Sequence, residues 1–203
     1  MPERDDLFES IRSCCINGEP AAGSEELIWQ RHGRECAVMV LDSSGFTRIT
    51  KTRGIIHYLS CIIRLRDFLI DIFRKKECIS CRFHADNAYA EFLTAEDALE
   101  AAVSIQRTLP LEKIELCRGC LFSVCIGIGY GKMLESAGEG MYGHEMNLAS
   151  KLGEDIAGSG DILLTPAAFE AVPKSRRTDF TEKRSHISGV EVRYYARRKD
   201  GVE

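Results

Sequence analysis

The chain contains no apolar run approaching the roughly eighteen residues that a membrane span requires. Its opening residues, MPERDDLFESIRSCC, lack the basic-then-apolar order of a secretion signal, so a cytoplasmic protein with no membrane partner is expected. Positive charge is not in excess. Lys and Arg number 27 against 31 Asp and Glu, for a formal charge of -4, which implies no broad attraction to nucleic acid. Tryptophan is nearly absent, and Trp29 reads as a packing anchor. Cysteine, by contrast, is plentiful at nine, but an odd count in a cytoplasmic chain disfavours a disulfide framework. The pairs Cys78-Ile-Ser-Cys81 and Cys117-Arg-Gly-Cys120 raise a four-cysteine zinc site. Against it, Cys78 and Cys81 enter a strand, where residues three apart face opposite sides. Buried or surface thiols are the expected reading.

With 203 residues, 44% hydrophobic and 29% charged, the chain suits one domain with a sizeable core plus a short extension. Residues 1–35 read as that extension: a short helix over 7–15, a loop with Gly18, Pro20 and Gly23, then a second segment over 25–31. Residues 36–203 read as the domain. Within it, 54–73 carries Ile55, Leu59, Ile62, Leu65, Leu69 and Ile72 at helical spacing. Thr94 followed by Asp97 opens a second helix, which Pro110 ends. A strand over 121–128 follows, its glycines at 127, 129 and 131 implying close backbone approach where the strand ends. Then come a helix over 143–157, a strand over 161–165, a proline-opened helix over 166–172 and a hairpin over 178–197.

Two stretches carry chemistry. In 38–47, VMVLDSSGFT, a continuous apolar run ends in an acid, two serines, a glycine and a threonine. That is the pattern of a buried strand delivering Asp42 to a turn whose backbone N–H groups, from Ser44, Gly45, Phe46 and Thr47, suit oligophosphate. In 81–92, CRFHADNAYAEF, alternation breaks at Ala85-Asp86-Asn87, so Asp86 sits at a hairpin tip. The element order predicts an α+β domain with a ferredoxin-like βαββαβ core and an added C-terminal helix and hairpin. In that sheet the first two strands run the same way, which brings Asp42 and Asp86 to one edge. Taken singly, Asp42 reads as a helix cap and Asp86 as a turn former; together they read as a divalent-metal pair.

A third stretch, MYGHEMNLASKLGEDIAGSGDILLT, places Asn147 and Lys151 four apart on one helix face, opposite Ala149, Leu152 and Ile156. These three stretches, in this order, resemble the catalytic domain of the class III nucleotidyl cyclases over about 35–197. The resemblance implies a homodimeric enzyme that converts a nucleoside triphosphate to the 3',5'-cyclic monophosphate with two Mg2+ or Mn2+ ions per site. It makes Asp42, Asp86 and the Ser43 carbonyl the metal ligands, and Asn147 and Lys151 the transition-state residues, with lysine where the family has arginine. Purine-specific members carry a lysine four residues before the second metal Asp and an aspartate just before the Asn-containing helix. Here those positions hold Arg82 and Gly140, with His84 and Glu139 beside them. ATP is the substrate expected by default, while the changed selectors leave GTP, CTP and UTP open, with a role in signalling or antiviral defence. A cyclase-homology domain that binds nucleotide without turnover is the second reading. The Gly-Gly-acidic hairpin signature of diguanylate cyclases is absent.

Overall fold

The computed structural model describes residues 6–16, 18–43, 46–187 and 189–197. The chain begins with α1 (Leu7–Cys14), a ribbon of β1 (Cys15–Ile16) and β2 (Glu19–Pro20), and α2 (Ser24–His32). Next come β3 (Gly33–Ser43), α3 (Phe46–Arg53), α4 (Ile55–Lys75), β4 (Ser80–His84), β5 (Asn87–Phe92) and α5 (Ala95–Thr108). A 3-10 turn (Leu109–Glu112) and a second ribbon, β6 (Glu115–Cys117) with β7 (Cys120–Leu121), lead into β8 (Val124–Ser136) and β9 (Gly140–Tyr142). The rest comprises α6 (His144–Ser150) running into a π-helical turn (Lys151–Ile156), β10 (Ile162–Leu164), α7 (Pro166–Ala171), α8 (Lys174–Arg177), β11 (Phe180–Ile187) and β12 (Val190–Arg197).

The main sheet has the order β11-β12-β10-β8-β3-β5-β4, with β9 paired to the far end of β8. Strand β3 is antiparallel to both β5 and β8, and β4 is antiparallel to β5, so β3 and β4 run the same way. This is the expected ferredoxin-like core, β3-α4-β4-β5-α5-β8, extended by β10 and the β11–β12 hairpin. Both faces of β3 are covered. Ala37, Met39 and Leu41 join the large core under α4 and α5, while Cys36, Val38 and Val40 join a second apolar layer with Met133, Met141 and Ala149. Burial on both sides is why this strand reads as a continuous apolar run.

Helix α5 begins as its sequence predicts. Thr94 accepts a hydrogen bond from the Asp97 backbone at 3.1 Å, and Ala98, Leu99, Ala102 and Ile105 face the core. In α4 the buried stripe is Tyr58, Cys61, Ile62, Leu65, Leu69 and Phe73. Ile55 and Leu59, expected inside, are exposed. The stripe is displaced because Tyr58 turns its ring inward while its hydroxyl finds polar partners below the sheet edge.

Two further expectations are corrected. Strand β8 does not end at its glycines but runs through them to Ser136. They sit mid-strand because α6 and the π turn lie directly on them. A Cβ at Gly127 would stand 2.2 Å from the Ala149 carbonyl oxygen, and one at Gly129 would stand 2.5 Å from that of Glu145. The helix expected over 143–157 is α-helical only to Ser150, then widens into the π turn, where Gly153 in turn leaves room for the Val40 carbonyl.

The glycine contact generates a stability prediction. Gly127→Ala forces Cβ against backbone, which cannot give way, and should cost at least about 2 kcal/mol, lowering Tm by about 5 °C or more. Gly138→Ala, where nothing lies within 4 Å of the added carbon, should leave Tm within about 1 °C. Thermal denaturation of both variants checks the pair.

Candidate active site

Asp42 is the penultimate residue of β3, half-buried, and Asp86 occupies the two-residue tip between His84 and Asn87, which pair across the β4–β5 hairpin. The tip is held tightly. Ala85 adopts φ +51, a left-handed conformation that costs a non-glycine residue about 1 kcal/mol or more. Its carbonyl accepts from Arg66 Nη2 at 2.5 Å, and the Arg66 guanidinium lies over the Phe83 ring at 5.2 Å. Helix α4 therefore clamps the corner that carries Asp86.

The two strand ends are joined by side chains. Ser43 Oγ donates to Asp86 Oδ2 at 2.9 Å and lies 2.5 Å from the Tyr58 hydroxyl, which itself donates to Asp86 Oδ2 at 3.2 Å. Among the described residues both bonds fall on Oδ2 and none on Oδ1. Tyr58 is buried, and desolvation pushes its hydroxyl well above the usual phenol range, so it stays a proton donor. Sequence reading missed Tyr58 because it lies on an apolar helix face. The usable signal was that a buried tyrosine needs a partner for its hydroxyl.

Negative charge gathers here. The Asp42 carboxyl is pushed up to about 6, mainly by burial and then by the nearby charge of Asp86, with Glu154 adding to it and the Ser43 backbone N–H opposing. Glu154, on the π turn, is also raised by burial, and accepts from the Tyr89 hydroxyl at 3.2 Å. It is a third acid at this edge that sequence reading did not find, because an ordinary α-helical count through 151–156 does not match the wider turn. Neither Asp42 nor Asp86 has an ion-pair partner among the described residues. Two crowded carboxylates without a basic partner fit a divalent cation, whose charge would reverse the repulsion. Among the described residues no set of three or more His, Cys, Asp or Glu side chains is arranged to hold a metal, so a cation here would draw on the pair plus backbone or ligand oxygens.

The other expected site residues fall into two places. Arg82, His84, Glu139 and Gly140 are brought together around one cavity of about 420 Å3, lined also by Tyr89, Glu91, Met141 and Met146. Asn147 follows Met146 on α6 and is exposed, and Lys151 opens the π turn, half-buried. Glu145 anchors that helix: its Oε2 accepts from Thr165 Oγ1 at 2.6 Å and from the Tyr130 backbone at 3.3 Å. No hydrogen bond or ion pair among the described residues links Asn147 or Lys151 to Asp42 or Asp86. Ser44 and Gly45 lie outside the described residues; Phe46 and Thr47 open α3, and their side chains lie outside the description. The C-x-x-C pairs lie on separate elements, Cys78 and Cys81 at the β4 edge and Cys117 and Cys120 opposite each other on the β6–β7 ribbon.

Helices α1 and α2 pack against β8. Trp29 lies under Lys132, 5.1 Å from nitrogen to ring centroid, and Phe8 meets Tyr142 edge to face at 5.5 Å. Among the described residues no helix is long and apolar enough to cross a membrane.

Solved structures that match this architecture include cyclase domains. The adenylate/guanylate cyclase/hydrolase from Silicibacter pomeroyi matches at TM-score 0.70 and 20% identity, over 83% of this chain and 98% of that one. The guanylyl cyclase Cya2 matches at 0.69 and 17%, over 81% and 92%. Adenylate cyclases from Trypanosoma brucei, in their monomeric state, match at 0.65 and 15%, over 80% and 89%. No family model and no curated protein matches the chain. The chain thus has the fold of the adenylate/guanylate cyclase catalytic domains.

The raised carboxyl of Asp42, due first to burial and then to Asp86, is measurable in metal-free protein. Its folded pKa, about 6, lies above the ordinary 3.8, so the protonated carboxyl favours the fold below pH 4 and that contribution is lost as pH rises through 6. With chelator present, Asp42→Asn should raise Tm at pH 7.5 by about 2–4 °C after allowance for solvent screening, and the difference should vanish by about pH 4. A variant no more stable than wild type at pH 7.5 would show that the Asp42 carboxylate is not disfavoured at this edge.

Proposed function

We propose that the chain is a nucleotidyl cyclase that converts a nucleoside triphosphate to its 3',5'-cyclic monophosphate and pyrophosphate at a homodimer interface. The observation that carries this reading is the tie between the end of β3 and the hairpin tip at one edge of a cyclase-type sheet: Ser43, next to Asp42, and Tyr58 both donate to Asp86 Oδ2, at 2.9 and 3.2 Å. Asp42, Asp86 and the Ser43 carbonyl would hold two Mg2+ or Mn2+ ions. When bound, these ions supply the charge that lowers the pKa of the ribose 3'-hydroxyl and holds the phosphates. Backbone N–H groups of Phe46 and Thr47, at the start of α3, would meet the phosphate chain. Asn147 orients the ribose, and Lys151 places a positive charge against the transferring phosphate as the 3'-oxygen bonds to the α-phosphorus and the bond to pyrophosphate breaks. A lysine supplies the charge without the two-pronged contact of an arginine, so turnover should be modest.

Among the described residues Asn147 and Lys151 make no hydrogen bond or ion pair to the acids of their own chain, which suits a shared site. One protomer gives Asp42 and Asp86, and its partner gives Asn147 and Lys151 across a two-fold axis. Incubation with each of the four triphosphates and Mg2+ or Mn2+, read by mass detection of the cyclic product, tests the activity directly. Absence of product from all four would favour a binding domain without turnover.

Asp42→Ala and Asp86→Ala should each lower cyclisation at least about a hundredfold while circular dichroism remains that of the folded protein. Near-normal turnover by either variant removes the metal assignment. Sharing is tested by mixing two inactive proteins. Asp42→Ala and Lys151→Ala each disable both sites of a homodimer, but a mixed dimer collects both lesions in one site and leaves the other intact. Random exchange makes about half the dimers mixed, so activity should return to roughly a quarter of wild type. Inactivity of a mixture whose subunits demonstrably exchange would assign both residues to one chain's site.

A further inference from the structure

Glu91 is a buried acid that the proposed reaction leaves unused. It lies on β5 opposite Val38 of β3, beside the apolar layer of Cys36, Val38 and Val40, and its side chain is only 7% exposed. Its Oε1 accepts from Arg82 Nη2 at 2.6 Å, whereas its Oε2 is buried with no hydrogen-bond partner among the described residues. A carboxylate placed among apolar side chains with one oxygen unserved lowers stability, so the fold alone does not account for it. What it does produce is a fixed arginine.

The opposite side of Arg82 is closed as well. Gly140 has φ +110, and a Cβ there would stand 3.2 Å from Cζ and Nη1 of Arg82. The guanidinium therefore rests against a position that glycine alone leaves open. Gripped by Glu91 and seated on Gly140, it meets the cavity of about 420 Å3 with its remaining N–H groups.

We infer that Glu91 is a positioning residue that fixes Arg82 as a donor-only fork, and that this fork selects an oxo base, uracil or guanine, over an amino base, cytosine or adenine. This rests on the proposed use of a nucleoside triphosphate. A guanidinium has five donors and no acceptor. An oxo oxygen takes a charge-assisted bond from it, while an amino group in the same place sets donor against donor and leaves that bond unmade. Glu91 does not read the base itself, since its free oxygen is closed off from the cavity. Glu139, on the exposed rim with one oxygen engaged by the Tyr142 hydroxyl, supplies an acceptor for the ring N–H that accompanies an oxo group.

The test uses 3'-deoxy triphosphates, which lack the attacking hydroxyl and report binding alone. Calorimetry with the full chain compares two pairs that differ only in oxo against amino: uridine with cytidine, and inosine with adenosine. In wild type the oxo member of each pair should bind about tenfold tighter or more, the worth of one charge-assisted contact. Glu91→Gln should bring each ratio within about threefold, as should Arg82→Lys, which keeps the charge and removes the fork; if Glu91→Gln does not fold, Arg82→Lys decides. A merely structural loss would weaken all four ligands together and leave the ratios unchanged. Equal or tighter binding of the amino members by wild type, unchanged ratios in the folded variants, or no binding of any triphosphate would overturn the inference. The expected ratios without cyclic product from ordinary triphosphates would instead withdraw the cyclase reading and leave the base selection standing.

Discussion

The double pairing of β3 is the constraint on which the site depends. It is antiparallel to β5 along one edge and to β8 along the other, and both faces are buried. Its direction is therefore fixed, and with it the edge at which Asp42 emerges. A one-residue slip would exchange Met39 and Leu41 with Val38 and Val40 between two cores of different size. Because β4 runs parallel to β3 through the intervening β5, the hairpin tip must turn at that same edge. The meeting of Asp42 and Asp86 is thus a result of topology, and Ser43, Tyr58 and Arg66 only refine it.

Electrostatics gives the edge its chemical character. Asp42 and Glu154 are both raised, chiefly by burial, and each also feels Asp86. Folding takes these acids partly out of water and close to one another at a cost that packing elsewhere offsets, a pattern common at functional sites. At the cavity the logic is different. The Arg82–Glu91 pair is internally neutral, so its effect is directional: it fixes where donors point and adds little net field. One end of the proposed substrate would meet concentrated charge and the other a geometric test.

Much of this was legible in the sequence where a local rule and the tertiary fold agree. The apolar run ending at Asp42, the turn at Asp86, and Thr94 with Asp97 are short-range signals that packing did not override. The residues that were misread are those whose roles depend on a distant partner. Glycines 127 and 129 signal the close backbone approach that is found, but not that α6 makes it in mid-strand, so only the end of the strand was misplaced. Ile55 and Leu59 continue an apolar period that the site diverts by drawing Tyr58 inward. The π turn breaks the fixed helical period, which hides Glu154. Glu91 looks like an ordinary strand acid until its burial and its grip on Arg82 are seen.

The close approach at β8 also sets what α6 can do. With Gly127 and Gly129 under its carbonyls, the helix sits nearer the sheet than side chains would permit, and Ala149 and Leu152 are fully buried beneath it. Asn147 is left on the outer face, and Lys151 falls where the helix widens to let Gly153 meet the Val40 carbonyl. A π turn advances the chain by more residues per turn than an α-helix, so it changes the direction of every side chain beyond it. The turn aims Glu154 at Tyr89 and the acid edge, while Asn147, before it, keeps an ordinary helical orientation. One helix therefore addresses two places: Asn147 and Lys151 are left for a partner protomer in the proposed dimer, while Glu154, further along the π turn, reaches Tyr89 of its own chain. A regular helix of the same length on the same glycines would not divide its residues in this way.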